Sequence, residues 1–380
     1  MDSQLNTCPT RERNSSFELL RILCILLIIV HHYSAHGVAG LTEHALTTNK
    51  LIEQALSMGG KIGVNCFVLI TGYFMTNITL QYKKLLKLIS EVLFYSVICM
   101  MVFYGLGLAS YDSRVVKESL FPLTYDMYWF ATTYVVLYLL SPFINLFIKH
   151  LRQKQHLTLI LLLVVLWSVV PTLTFGQAPG YSNLGWFTLL YLIAAYIKLY
   201  PNKYFKNCYA NMIIAFLSFT ILILSVIILN ILGIKNSTFS IHATYLKEMN
   251  MIPTLLCSLS LFLGFKNLNI GCNKVINTIS ASTFGVYLIH DNYFVGPFLW
   301  NTVFKNALFL DSPFLLLHAI MTTIAVFAGC TIIDQIRLHL LERPLFWLLD
   351  CKQESIRSLV GKWKATLPKL MFRKSLHRKI

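Results

Sequence analysis

Charge is what this sequence has least of. Charged residues make up 13% of its 380 positions and only 16 are acidic, against about 25% charged in an ordinary soluble protein. So few polar side chains cannot cover the surface of a water-soluble fold, which excludes a soluble enzyme of two or three domains. Organised cysteine chemistry is missing too. The nine cysteines sit mostly in apolar runs with no CxxC and no Cys/His ligand spacing, so neither a disulfide framework nor a metal site is expected. There is no internal repeat, and the longest loops (37–56, 108–125 and 234–250) leave no room for an attached soluble domain.

What remains is apolar: AVILMFWYC residues are 56% of the chain and the mean hydropathy is +0.63. A helix crossing about 30 Å of hydrocarbon needs roughly 20 mostly apolar residues. By that rule ten spans are predicted, at 17–36, 57–76, 87–109, 126–148, 155–175, 183–199, 209–233, 251–266, 280–300 and 311–341. The first is a retained helix rather than a signal peptide, because polar histidines and further apolar segments follow it where a small-residue cleavage site would stand. The expected fold is therefore all-α, a polytopic transmembrane helix bundle.

The net charge is +16, dispersed in short clusters between the apolar runs, an arrangement that speaks for membrane lipids and against a nucleic-acid partner. One set of loops carries Arg11, Arg13, Arg21, Lys83, Lys84, Lys87, Lys149, Arg152, Lys154, Lys198, Lys203, Lys206, Lys266, Lys274 and the basic tail from Arg337 to Lys379. The other set holds only Lys50, Lys61, Arg114, Lys117, Lys235, Lys247 and Lys305. The positive side faces the cytoplasm, which places both termini there. Trp363, Leu367 and Phe372 among the tail's basic residues suit a segment lying on an anionic leaflet.

Ionisable residues inside a span are costly, so each is a site hypothesis. The first helix holds Glu18, Arg21, His31, His32 and His36. Eleven positions at 100° bring His32 to within about 20° of Arg21, roughly 16 Å along the axis. Glu18 and His36 lie near the same stripe, and His31 points about 100° away. A cation at the cytoplasmic edge and an imidazole deep inside suit a channel that admits an anionic reactant to base chemistry. An arginine snorkelling to the headgroups above an interfacial histidine pair reads the same residues equally well.

Phe17-Glu18-Leu19-Leu20-Arg21 followed by ten residues and His32 resembles the Arg-x10-His signature that opens the acyltransferase 3 family, integral membrane proteins that move acyl groups from coenzyme A to carbohydrates. Gly63-Val64 with Phe67-Val68-Leu69-Ile70-Thr71-Gly72-Tyr73 is similar to that family's next element, and its small residues suit close helix approach. Lys83-Lys84-Leu85-Leu86-Lys87 stands where the family has Arg-x-x-Arg; the resemblance implies that Lys84 and Lys87, with Lys83 beside them, hold coenzyme A phosphates. Softer matches run through Tyr128-Trp129-Phe130, Ser141-Pro142-Phe143-Ile144-Asn145, Tyr191–Ile197 and Phe284–His290.

The resemblance implies a membrane domain over 15–347, between a short segment 1–14 and a basic tail 348–380. It implies an O-acetyltransferase of a bacterial plasma membrane, with acetyl-CoA as donor, no metal, and a cell-surface polysaccharide or lipid-linked oligosaccharide as acceptor. Catalysis would fall to His32, with Glu18 and Arg21 setting the electrostatics of the entrance. His290-Asp291 is read as an acceptor-binding or orienting pair, or as an interfacial cap. Trp129 and Tyr128 are read as sugar-stacking rings, or as part of an aromatic belt. A flippase for a lipid-linked sugar is the competing class, although no paired halves with matching helix breaks are visible. Glu91, Asp126, His318 and Asp334 are candidates for buried pairing.

Overall fold

The computed structural model describes residues 14–38 and 45–348; the basic tail 349–380 and Arg11 and Arg13 lie outside that range. The described residues form helices and turns, with no strand among them. Backbone groups in hydrocarbon must be satisfied within their own segment, and a helix does this. Among the described residues, eight helices are long and apolar enough to cross a membrane: Ser15–Gly37, Thr48–Met75, Tyr82–Gly105, Trp129–His150, Gln153–Thr174, Cys208–Gly233, Ser237–Asn267 and Leu315–Leu348. Asn183–Leu199 is a shorter apolar helix. The chain is a multi-pass helical membrane protein.

Two compact units divide the chain at Cys330. In the second, Arg337 donates from Nε to Asp334 at 2.8 Å and from Nη1 to Glu342 at 2.7 Å, so Asp334 has the paired role expected of it. In the first, burial separates centre from periphery. The best-buried span, Thr48–Met75, has 78% of its apolar window covered, while Cys208–Gly233 has 28%. Ile213, Phe216, Leu217, Ile221 and Ile228 on the latter are exposed. In water such a face would aggregate; facing lipid tails it is already in its preferred solvent.

The first helix, α1 (Ser15–Gly37), packs against α3 (Gly60–Met75), and glycines set the distance. A Cβ at Gly63 would stand 2.6 Å from the Cys24 carbonyl oxygen on α1, and one at Gly72, which faces the helix Asn183–Leu199 instead, would stand 2.9 Å from the Tyr191 Cα. Close backbone approach is the attractive term between helices in lipid, where apolar burial gives no gain. A Gly63→Ala chain is therefore expected to lose roughly 1–3 kcal/mol through overpacking. Its thermal midpoint in detergent would fall, and an unchanged midpoint would show that α1 and α3 are free to part.

Asn65 is buried on α3 and makes three hydrogen bonds through its side-chain amide. It donates to the Met249 carbonyl at 2.8 Å and to Ser258 Oγ at 3.3 Å, and accepts from Trp186 Nε1 at 2.9 Å. Three segments are pinned to α3 by one amide.

Two expectations need correction. The loop assigned to 37–56 contains a helix, α2 (Thr48–Leu56), on which Lys50, Glu53 and Gln54 are buried. Those charges interrupted the apolar run, so no span was read there. Asn230 donates to Gln54 Oε1 at 2.6 Å and holds the helix in place. The span expected at 280–300 is broken. A helix Thr283–His290 ends at Asp291, and a π-type turn covers Phe298–Val303. Asn292 makes the break: its Oδ1 accepts from the backbone N–H of Phe294 at 3.0 Å and of Val295 at 3.4 Å. An Asn side chain offers the backbone this alternative to helix. The helix resumes at Val295–Pro297, with the proline in its first turn, where a missing N–H costs little.

Candidate active site

The N-terminus of α1 is capped by Asn14, whose side chain accepts from the Ser16 N–H at 2.9 Å. One turn on, Arg21 Nη1 donates to both Glu18 carboxylate oxygens, at 2.9 and 3.0 Å, and the Ser280 hydroxyl donates to the same carboxylate. The Glu18 side chain is 9% exposed and that of Arg21 31%. The pair is therefore anchored on its acidic side and open on its basic side. It stands three helical turns from His32 and does not touch the histidines.

The histidines gather at the other end of α1. His32 Nδ1 lies 3.1 Å from His290 Nε2 and 3.4 Å from Asp291 Oδ1. His290 Nδ1 in turn lies 2.6 Å from the Val286 carbonyl oxygen. A carbonyl only accepts, so His290 donates from Nδ1 and its Nε2 carries a lone pair. That lone pair accepts from His32 Nδ1–H. The chain of donors leaves His32 with its lone pair on Nε2, the atom available to take a proton. An imidazole's tautomer is set by the hydrogen bond its other nitrogen makes, and here two residues of a broken helix set it.

His31 has a different task. Its Nδ1 donates to the Ser57 carbonyl at 2.6 Å, and its ring occupies the space a side chain at Gly60 would need. It is a packing residue that ties α1 to the turn before α3, on the face that its 100° offset predicts. His36 is exposed and meets the His32 ring edge-on, with centroids 4.7 Å apart. Beside it opens a cavity of about 710 Å³, lined among others by His36, Asp291, Asn292, Phe103, Phe298 and Trp300. That size lies in the range of small-molecule sites.

Tyr128 is 1% exposed. Its hydroxyl donates to the Leu288 carbonyl at 3.2 Å and accepts from Asn292 Nδ2 at 2.6 Å. It fastens the helix break and offers no face to a sugar. Trp129, the first residue of the helix Trp129–His150, has Lys61 Nζ 4.4 Å above its ring, so one face is taken by a cation. Lys61 is also in electrostatic reach of Asp291 and Glu248. Sequence reasoning counted it only as an orientation charge, yet a lysine inside the glycine-rich run 59–72 was itself a signal.

Lys83 and Lys84 are exposed and Lys87 is half-buried, at the start of α4 (Tyr82–Gly105). The structure thus unites His32, His290 and Asp291 in one cluster, and leaves the lysines and the Glu18–Arg21 pair as separate groups.

A multi-pass helical protein with a tautomer-fixed imidazole packed against a histidine and a carboxylate that line a cavity has the makings of a membrane-embedded transfer enzyme. Comparison with known families supplies the class. The chain belongs to the acyltransferase 3 family, whose model, described as an acyltransferase domain, matches residues 14–334. It is a membrane acyltransferase of a family that generally acetylates carbohydrates. Comparison with curated proteins and with solved structures finds no match.

Proposed function

We propose that the protein is an O-acetyltransferase of a bacterial plasma membrane. It would take the acetyl group of acetyl-CoA from the cytoplasm and place it on a hydroxyl of a cell-surface polysaccharide or its lipid-linked precursor. The observation that carries the reading is the Val286–His290–His32 chain, which leaves His32 Nε2 as the base.

A hydroxyl is a weak nucleophile at neutral pH. His32 Nε2 takes its proton as the oxygen attacks the thioester carbonyl. The tetrahedral intermediate collapses with cleavage of the carbon–sulfur bond, and the imidazolium returns the proton to the departing coenzyme A thiolate. Asp291, 3.4 Å from Nδ1, favours the imidazolium while it exists, as the carboxylate of a Ser-His-Asp triad does.

The donor enters past Arg21, whose exposed side meets the anion while Glu18 holds it in place. Lys83, Lys84 and Lys87 occupy the first two turns of α4. The positive end of the helix dipole adds to their charge, and a polyphosphate answers both. Lysine meets it as a point charge rather than a fork.

The test is purified protein in lipid nanodiscs with radiolabelled acetyl-CoA and the acceptor glycan. Label in the glycan supports the reading, and its absence with a folded protein removes it. In the same assay a Lys84→Glu, Lys87→Glu chain should raise KM for acetyl-CoA, more so at low ionic strength where screening is weak. An unchanged KM would leave those lysines only a role in orientation.

A further inference from the structure

His32 and His36 stand four residues apart on one face of α1, the spacing at which two imidazoles of a helix can share a metal ion. Asp291, from the helix break 255 residues on, brings a carboxylate oxygen to the same place. One ligand atom from each of the three lies within 4.8 Å of the other two. We propose that His32, His36 and Asp291 form a binding site for a divalent transition cation of the zinc type, and that its occupancy switches the enzyme off. The binding claim stands on this geometry alone; the inhibitory consequence rests on His32 being the base.

Distances support the assignment. Zinc bonds of about 2.0–2.2 Å in a tetrahedron put ligand atoms about 3.3–3.6 Å apart. His32 Nδ1 and Asp291 Oδ1 are already 3.4 Å apart, close to one edge of such a figure. His36 must close the remaining gap. It is exposed in the last turn of α1, where a side chain can change rotamer at little cost. Two imidazoles and one carboxylate with an open fourth position are the donor set of catalytic rather than structural zinc sites.

His290 stands beside the open position, with Nε2 3.1 Å from His32 Nδ1. Its own Nδ1–H is held on the Val286 carbonyl, the outer-shell contact that orients metal-binding histidines. The cavity along His36 and Asp291 gives a path from the surface. Lys61, within electrostatic reach of Asp291, opposes a second cation and keeps the affinity moderate, as a reversible switch requires.

Binding at His32 Nδ1 selects the other tautomer: the proton that Nδ1 gives to His290 shifts to Nε2, and the freed Nδ1 lone pair takes the cation. The remaining proton then sits on Nε2, and the base is lost. Zinc would therefore inhibit without entering the coenzyme A path.

The experiment is direct binding to the full chain in detergent, stripped with chelator and titrated with zinc chloride against a colorimetric zinc indicator, with no acetyl-CoA present. One zinc per chain is expected. Affinity should fall at least tenfold in His36→Ala and in Asp291→Asn, and stay unchanged in His150→Ala, which removes an exposed histidine elsewhere. If Asp291→Asn does not insert, His36→Ala at the exposed helix end still decides. Absence of stoichiometric binding, or binding that survives His36→Ala, overturns the site. Because no acyl donor is used, that failure leaves the acetyl-transfer reading standing, and a failed transfer assay leaves the metal site standing.

Discussion

His32→Ala is expected to abolish measurable acetyl transfer while the protein still inserts and binds acetyl-CoA. A positioned general base contributes about 10²–10⁴-fold, and His290 and His31 are each committed to a backbone carbonyl. His290 is turned with its Nδ1 on a backbone carbonyl, and His31 is spent on the Ser57 carbonyl. His31→Ala should instead lower the thermal midpoint, since it empties the space between α1 and Gly60, and should leave turnover per folded molecule largely intact. The measurement is initial rate at matched acetyl-CoA binding for both variants. Equal loss in the two would discard the distinction, and near-normal turnover in His32→Ala would sink the assignment.

His290 is the second large effect. It meets no substrate in this account; it positions His32 by accepting the Nδ1 proton. His290→Phe removes the acceptor while retaining a ring of similar size. The population of His32 with its lone pair on Nε2 then falls. The loss should lie between about tenfold and the 10⁴-fold seen when the orienting carboxylate of a Ser-His-Asp triad is replaced. It should appear in kcat, with KM for acetyl-CoA held within about twofold. His290→Gln, whose amide oxygen can accept the same proton, should restore part of the rate. If Phe and Gln are equally impaired, His290 serves packing and not proton placement.

How much of this was readable in advance depends on whether the signal is local. The stripe joining Arg21 to His32 is a property of one helix, so residue spacing revealed it, and the structure keeps His31 off that stripe. The glycines at 63 and 72 were likewise legible as close-packing positions, because small residues in an apolar run have few other uses. His290-Asp291 was visible as a polar pair, but its partner lies 258 positions away, and no periodicity carries such a contact. The helix break at Asn292 was missed because hydropathy ignores side chains that bond to their own backbone. Tyr128 was misjudged for a related reason. An aromatic ring near a span's end looks the same in sequence whether its hydroxyl is free or, as here, holds two segments together.

The uneven burial of the spans bears on how the gene can drift. Along Cys208–Gly233 one side meets only lipid tails, a solvent that accepts leucine, isoleucine, valine or phenylalanine alike, so most letters there are interchangeable. Along α3 a single added methyl group strikes a neighbouring backbone, and the Asn65 amide holds three separate partners. Two apolar spans of one protein therefore carry very different amounts of instruction. Mutational tolerance should rise from the α1–α3 seam outward to the lipid, ordered by distance from a shared backbone contact rather than by how apolar each helix is.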